Sequence, residues 1–599
     1  MFKVKINLVF AAVICAVIAV SGCDCFNDNC KKGDASVTAV NETFKNEKYG
    51  YYLAGRVAHL RRDFNSAADY YVEVLKNDPA NADLIGRVYV ILASESRISE
   101  AAIYARESLK AGDDNNFTYI IIAVDEMKKQ QYEDAVKTIS NLKGPVYDEF
   151  IAPLMIAWVK TGEGKREEAL KQLEKIKNEP GLAALYNFHA GMINDYFDNK
   201  EEAEKHYRYL MDEAKMDMSY RALQLISNFY IRHGEQYKAI ELIKRYTDDK
   251  NMVDMLQRLC INVENADPDN TKKILANADD GLAEALFSIA ATLRQGPIGM
   301  DLAHIFICLS IYSNQDYDLA KLLLADILEA RGMYDDAVRV YDEIGSEKET
   351  YYTAQIKKAT AYTIMKEYGK AEKVLRDLIK DNSDDYQVSL DLADNLRMLK
   401  KFDEAIYFYN KAIGNIKEVQ PRNWVAFYAL GVAYERNGEW EKAEESLKKA
   451  IELSNNHYVP TNYIGYCWII RGTNIEEAFS LIVNAYSQAP NDGHIIDSLG
   501  WALYKLGLYD KAVEYLENAS EIESANALIS DHLGDAYWMA GRKIEAAFQW
   551  RHALVLKQDI EEVNVETVKQ KLENGLASEE VPPFDEELIK KRLEELSRK

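Results

Sequence analysis

Residues that break helices are scarce in this chain. Its 599 residues include 11 prolines and 29 glycines, against 48% apolar and 28% charged residues. This is the composition of a globular protein, so disorder over most of the chain is excluded. The length exceeds what one hydrophobic core can serve, so the chain must hold several domains or a repeat array.

Positive charge is also in deficit. Lys and Arg number 73 against 97 Asp and Glu, which gives a formal net charge of −24. Such a field repels phosphate, so it disfavours binding of nucleic acid and unaided adhesion to anionic lipid, and it permits basic or amphipathic protein partners. The alternative is that the charge only keeps a long soluble rod from aggregating.

The residue patterns of common active sites are missing. The nine histidines fall into no ligand spacing, there is no HExxH motif, and the seven cysteines form no CxxC pair. Residues 161–165 are similar to a phosphate-binding loop, but Val159 replaces its first glycine and Arg166 replaces the Ser or Thr that must follow. We therefore predict no enzyme activity, no metal, no cofactor and no small-molecule substrate.

The N-terminus has the layout of a secretion signal over residues 1–22. Lys3 and Lys5 precede an apolar run that is too short to span a bilayer comfortably, and Ser21, Gly22 and Cys23 follow it. The end of this segment resembles the lipobox of bacterial lipoproteins, which implies cleavage before Cys23 and acylation of that cysteine. An uncleaved anchor and an ordinary signal peptide are the alternatives. All three place the body outside the cytoplasm.

Residues 23–46 lack apolar periodicity and are predicted to be a flexible tether. Cys25 and Cys30 lie in it and could pair in an oxidising periplasm. Resemblance to enteric lipoproteins makes Asp24 a signal for retention in the inner membrane. We expect the body to be lipid-anchored on the periplasmic side of the cell envelope, with the inner membrane favoured over the outer.

An internal repeat fills most of the remaining chain. Small residues recur, mostly 34 or 35 positions apart, at Gly55, Ala123, Ala157, Gly191, Ser227, Ala291, Ala325, Ala359, Ala393, Gly431, Gly465, Gly500 and Gly534, with Tyr89 as the one large exception. Twelve residues after all but one of these fourteen positions stands an alanine, and Ala478 is displaced by one. Two antiparallel helices approach closely only where their crossing positions are small, so this spacing predicts stacked helix pairs.

The spacing of Gly534, Tyr537, Ala546, Trp550 and Ala553 is that of the tetratricopeptide repeat. From about residue 48 to 560 the chain resembles the tetratricopeptide-repeat (TPR) family, and its last repeats resemble large alphaproteobacterial TPR lipoproteins. The resemblance implies an all-α fold, a right-handed superhelix of antiparallel helix pairs.

The repeat pattern predicts four segments after the tether. An N-terminal superhelix covers 47–249, and a degenerate stretch over 250–283 is either a hinge or a distorted but continuous junction. A C-terminal superhelix covers 284–560. Residues 561–599, with Pro582 and Pro583 before an amphipathic segment, are predicted to cap the open end.

In the TPR family the first helix of each pair lines the concave face. That resemblance predicts a partner-binding groove of aromatic and acidic side chains, formed by Tyr428, Asn462, Tyr466, Asp497, Trp501, Tyr504, Asp531, Asp535 and Trp538. Aromatic rings supply contact area at low entropic cost, and the acids would orient a basic or amide-rich segment. The alternative is that some of these rings pack between adjacent repeats.

The function we expect is that of a non-catalytic scaffold that binds other envelope proteins. A regulator of a peptidoglycan hydrolase, or an adaptor of polysaccharide or pilus export machinery, is the alternative. A cryptic enzyme is disfavoured because the repeats leave no stretch long enough for a catalytic domain.

Overall fold

The computed structural model describes residues 47–177, 179, 181–213, 218–246, 253–294, 299–381, 384–556, 563–577, 581 and 583–597. Within these ranges the secondary structure is helical, with 31 α-helices and no strand. This confirms the predicted all-α solenoid of helix pairs. The signal peptide, Cys23, the tether with Cys25 and Cys30, and Pro582 lie outside the described residues.

The first eighteen helices are α1 (Glu47–Leu60), α2 (Phe64–Asn77), α3 (Ala82–Ser94), α4 (Ile98–Lys110), α5 (Asn116–Lys128), α6 (Tyr132–Ile139), α7 (Ala152–Gly162), α8 (Arg166–Lys177), α9 (Ala183–Tyr196), α10 (Lys200–Arg208), α11 (Tyr220–Arg232), α12 (Gln236–Lys244), α13 (Val253–Glu264), α14 (Ala278–Leu293), α15 (Met300–Ser313), α16 (Asp318–Ala330), α17 (Tyr334–Asp342) and α18 (Tyr351–Ile364).

The remaining helices are α19 (Tyr368–Asp381), α20 (Tyr386–Met398), α21 (Phe402–Gly414), α22 (Trp424–Arg436), α23 (Trp440–Leu453), α24 (Tyr458–Arg471), α25 (Ile475–Gln488), α26 (Gly493–Lys505), α27 (Tyr509–Ile522), α28 (Ala527–Met539), α29 (Lys543–Leu556), α30 (Val565–Asn574) and α31 (Glu586–Ser597).

The alanine column explains how the helices pair. All fourteen alanines are fully buried: Ala67, Ala101, Ala135, Ala169, Ala203, Ala239, Ala303, Ala337, Ala371, Ala405, Ala443, Ala478, Ala512 and Ala546. On the facing helix the small residue is equally necessary. A Cβ added to Gly534 would lie 2.5 Å from the Trp550 ring, and one added to Gly191 would lie 2.6 Å from the Tyr207 ring. Apart from the pair that holds Tyr89, each pair therefore closes around one small residue on each helix.

Short polar side chains begin several first helices. Asn81 Oδ1 accepts a hydrogen bond from the backbone N–H of Leu84, and Asn526 Oδ1 accepts from that of Ile529. These caps satisfy amide groups that have no partner inside the helix, so they fix where α3 and α28 start.

The described residues form two compact units, one up to Met365 and the other from Lys366 onward. Whether 250–283 is a hinge or a continuous junction stays a prediction. Residues 253–264 and 278–283 belong to α13 and α14 of the first unit. Helix α14 begins at Ala278, at the end of the stretch with the weak repeat pattern. It packs against α7 and α9.

In the first unit, helix pairs follow one another from α1 to α13. The hairpin of α14 and α15 then lies against earlier first helices: α14 contacts α7 and α9, and α15 contacts α3 and α5. The chain returns through α16, α17 and α18, where the backbone carbonyl of Arg331 accepts a hydrogen bond from Arg62 at 2.9 Å. We call α14 and α15 the inserted hairpin.

In the second unit, α19 to α29 form a continuous stack in which each helix contacts the next. The two helices of the predicted capping segment contact different helices of the stack. Helix α30 packs against α29, and α31 packs against α25, with Ile589 of α31 buried. No helix in the described ranges is long and apolar enough to cross a membrane.

Candidate protein-binding surfaces

First helices of neighbouring pairs in the second unit are joined by side chains 35 or 36 positions apart. The rings of Tyr428 and Tyr463 meet edge to face at 5.7 Å. The Asn462 amide donates to Ser498 Oγ at 2.9 Å. We call this series the first-helix ladder, and its next contact joins α26 to α28.

That next contact is a buried histidine–carboxylate hydrogen bond with stacked rings. His532 Nδ1 lies 2.9 and 3.1 Å from the two carboxylate oxygens of Asp497. Trp501 stacks on His532 at 3.8 Å between ring centroids and on Tyr504 at 4.6 Å. With Asp497, Trp501, Tyr504 and His532 all buried, this part of the predicted groove forms packing between α26 and α28.

At the far end of the ladder, two carboxylates hold one lysine. Lys571 Nζ of α30 lies 2.8 Å from both carboxylate oxygens of Asp531 and 2.8 Å from Asp535 Oδ2. The Trp550 indole N–H donates to Asp535 Oδ1 at 2.8 Å. Burial raises the pKa of Asp535 to about 6, against the lowering effect of Lys571.

Trp538 contacts the end of the same helix. Its indole N–H donates to the backbone carbonyl of Leu576 at 3.1 Å. Gly575 ends α30 with φ +73°, and a Cβ added there would lie 2.0 Å from the Trp538 ring. Asp531, Asp535 and Trp538 are thus covered by the chain's own C-terminal segment, and we call them the acid–tryptophan surface.

Near α22 and α24 the first helices are more accessible. Tyr428, Asn462 and Tyr466 are each half-buried. Next to them, Val425 is 48% exposed and Ile470 is 52% exposed. Apolar side chains that are this accessible, beside half-buried rings, can contact another protein.

A carboxylate is built into this accessible region. Glu435 of α22 accepts a hydrogen bond from the Tyr463 hydroxyl at 3.2 Å, and Arg471 lies 4.0 Å from it. Burial, together with the charge of Glu435, raises the pKa of Tyr463. Tyr463 therefore remains a hydrogen-bond donor at neutral pH.

In the first unit, the inserted hairpin occupies the side of the first helices where α3, α5, α7 and α9 meet it. A Cβ added to Gly281 of α14 would lie 2.0 Å from the ring of Trp158 in α7, so the two helices touch closely. The Trp158 indole N–H donates to His189 Nδ1 at 3.0 Å. Burial lowers the pKa of His189 to about 3, so the ring is neutral and accepts this bond.

A buried ion pair also fixes the hairpin. Arg221 Nε of α11 donates to Glu284 Oε1 at 2.7 Å, and the Tyr317 hydroxyl donates to Glu284 Oε2 at 2.5 Å. Burial lowers the pKa of Arg221, but the electrostatic interactions with Glu284 and Tyr317 outweigh it and raise that pKa. Burial raises the pKa of Tyr317. All three side chains are buried, so the carboxylate has both partners it needs.

Two family models described as tetratricopeptide repeat match this chain, one over residues 424–457 and the other over 365–418 and 498–555. The chain contains tetratricopeptide repeats. It is similar to the BBSome complex member BBS4 of Bos taurus, 27% identical over 135 residues, which are 22% of this chain and 25% of the relative. It is also similar to the TPR repeat-containing protein PA4667 of Pseudomonas aeruginosa, 24% identical over 220 residues, 36% of each chain.

This TPR chain therefore spans a quarter of the first relative's length and just over a third of the second's. Among solved structures, the Cut9–Hcn1 hetero-tetramer of APC/C is 12% identical, with a TM-score of 0.36 over 88% of this chain and 96% of that one.

All nine predicted groove residues lie on TPR first helices: α22, α24, α26 and α28. The structure divides them into an accessible group, a packed group and a group covered by α30. The accessible group is Tyr428, Asn462 and Tyr466, the packed group is Asp497, Trp501 and Tyr504, and the covered group is Asp531, Asp535 and Trp538. The role of the nine in partner binding stays a prediction.

Sequence reasoning missed Lys571. This residue lies after the last repeat, where the 34-residue spacing no longer assigns positions. One signal was present: Asp531 and Asp535 stand four residues apart on one helical face, and such a pair requires a cation when buried. Within the described ranges, no group of three or more His, Cys, Asp or Glu residues is placed to hold a metal ion.

Proposed function

We propose that this TPR protein is a non-catalytic scaffold that binds segments of other proteins on the first helices α22 and α24 of its second unit. One observation carries the proposal. The inserted hairpin packs against first helices α3, α5, α7 and α9 of unit 1, whereas Tyr428, Asn462 and Tyr466 of unit 2 are half-buried beside the exposed Val425 and Ile470.

The relatives support protein partners. One of them is by name a member of the BBSome complex. The net charge of −24 favours partner segments that are basic or amphipathic.

We further propose that the scaffold works in a bacterial cell envelope. A lipid on Cys23 would hold it on the periplasmic side, with the inner membrane favoured. The lipobox-like residues Val20, Ser21, Gly22 and Cys23, after a short apolar run, support this. The partners would then be envelope assembly components.

Site-specific photo-crosslinking in the native host tests the binding surface. A photoreactive phenylalanine analogue replaces Tyr466 in one strain and Tyr407 in another. Tyr407 is 61% exposed on the second helix α21, so it serves as the matched accessible control. We expect a defined protein adduct from position 466 that is weak or missing from position 407. Equal adducts from both positions, or none from 466, would remove the proposal.

The anchor has its own test. Cells fed an alkyne fatty acid should label the wild-type chain, and Cys23→Ser should abolish labelling and release the protein from the membrane fraction. Cys25→Ser, two residues away, is the control and should label normally. Labelling that survives Cys23→Ser would contradict the lipoprotein assignment.

A further inference from the structure

Helix α30 is held by few side chains. Of its ten residues, Val568 and Lys571 are buried and Leu572 packs partly buried against the core, whereas α28, which it covers, buries nine of thirteen. A lysine is an unusual choice for one of two buried positions, because burying an ammonium group is costly unless carboxylates surround it. The site that holds α30 therefore selects a positively charged side chain. The contact buries little apolar surface of α30.

The charges at this contact are unequal. Asp531 and Asp535 together carry up to two negative charges, and Lys571 supplies one positive charge at 2.8 Å from each. Trp550 donates a neutral hydrogen bond to Asp535. A surplus of negative charge remains where α30 binds, so the surface would accept a second cationic group or a stronger one.

The end of α30 is matched by shape as well. Trp538 lies close against Gly575 and donates to the carbonyl of Leu576. Since any Cβ at position 575 would overlap the indole, the surface selects a helix that ends in glycine. The occupant thus displays a lysine, then glycine four residues later, then leucine.

We propose that the acid–tryptophan surface is a docking site for a partner helix that carries a lysine followed four residues later by a glycine at the helix end. Helix α30 occupies the site in cis and a partner helix of the same pattern replaces it. This inference deepens the proposed function and rests on it, because it names the chemistry of a partner segment at the far end of the first-helix ladder.

Peptide binding to the full-length chain tests the proposal. The probe is a fluorescently labelled peptide of residues 563–577, and its binding is measured by anisotropy. In the wild-type chain α30 competes with the probe. Gly575→Ala in the chain drives α30 off Trp538, so we expect the probe to bind this variant at least tenfold more tightly than wild type.

A matched glycine provides the control. Gly541 also has a positive φ, +83°, but a Cβ there meets nothing within 4 Å. Gly541→Ala imposes the same backbone strain without touching Trp538, so it should bind the probe as wild type does. Lys571→Ala in the chain is a second way to release α30, and it should also raise probe affinity.

The lysine requirement is tested on the probe itself. A peptide with Lys571→Ala should bind the Gly575→Ala chain at least tenfold more weakly than the unaltered peptide. If both peptides bind equally, or if neither released chain binds the probe more tightly than wild type, the proposal is overturned. Crosslinking from position 466 does not involve α30, so its success together with failure here would leave the scaffold function standing.

Discussion

The contact between Gly281 and Trp158 permits a sharp prediction about the first unit. In Gly281→Ala, the new methyl group would lie 2.0 to 2.3 Å from three atoms of the Trp158 ring. Ordinary carbon contacts are near 3.5 Å, so the ring or the inserted hairpin must shift by more than an ångström. The ring cannot shift freely, because Trp158 is fully buried and its indole N–H is bonded to His189 at 3.0 Å.

Two costs follow from this clash. Overpacking a well-packed core costs about 1–3 kcal/mol. Breaking the Trp158–His189 bond leaves buried polar groups without a partner, at a further cost of about 1–3 kcal/mol. Against these stands the gain of about 0.5–1 kcal/mol from replacing a helical glycine by alanine. We expect Gly281→Ala to weaken the seating of the inserted hairpin by about 3 kcal/mol.

Hydrogen exchange measured by mass spectrometry reports this free energy locally. A loss of 3 kcal/mol would speed exchange in peptides from α14 and α15 by about 100-fold or more. Gly86→Ala in α3 is the control. A Cβ there meets nothing within 4 Å, so it shares the helix gain without the clash and should leave exchange unchanged or slower. Exchange in Gly281→Ala that matches this control would refute the close seating of the hairpin.

Three further predictions concern stability. Arg221→Ala leaves Glu284 buried without its cation and should lower the free energy of unfolding by about 3–5 kcal/mol in urea titration, whereas the exposed Lys110→Ala should change it by less than about 0.5 kcal/mol. Burial raises the pKa of Asp391 to about 6, so the folded state keeps a proton that the unfolded state releases near pH 4. The stability of the wild type should therefore decrease as the pH rises from about 4 to 6. Thermal melts of Asp391→Asn over the same pH range should lack this decrease. Ala337→Leu should destabilise its fully buried helix crossing by about 1–3 kcal/mol in the same urea titration.

The sequence predicted helix pairing well because pairing is local. A small residue and an alanine twelve positions apart must face each other across one turn, and the structure buries every alanine of that column. The order in which pairs stack is less local. Ala291 and Ala303 keep the pairing distance, so α14 and α15 were expected to continue the superhelix. Nothing in that spacing predicts that the pair contacts α7 and α9.

The sequence predicted which helices carry the groove residues, but it predicted only partly which of these residues are accessible. Family positions placed all nine residues on first helices, as the structure does. Whether a ring is accessible depends on the next pair. Trp501 is buried because His532, one repeat later, stacks on it, whereas Tyr466 stays half-buried. The accessibility of one residue thus depends on another residue some 30 positions later. A repeat pattern that assigns each position separately does not contain this information.

In both units, first helices bind a segment of the same chain. The units differ in how many side chains hold that segment. Gly281 lets α14 approach Trp158, and Glu284 matches the charge of Arg221, so the first helices of unit 1 bind a segment of their own chain. In unit 2, Lys571 pairs with Asp531 and Asp535 and so holds α30 against the first helix α28. This segment is a single helix with two buried residues. A surface that recognises an internal helix through two carboxylates on one lysine and one glycine contact recognises an external helix by the same groups. A partner replaces an internal helix more readily when the internal contact is weak. We therefore expect partner helices to displace α30, and we expect the inserted hairpin to stay bound.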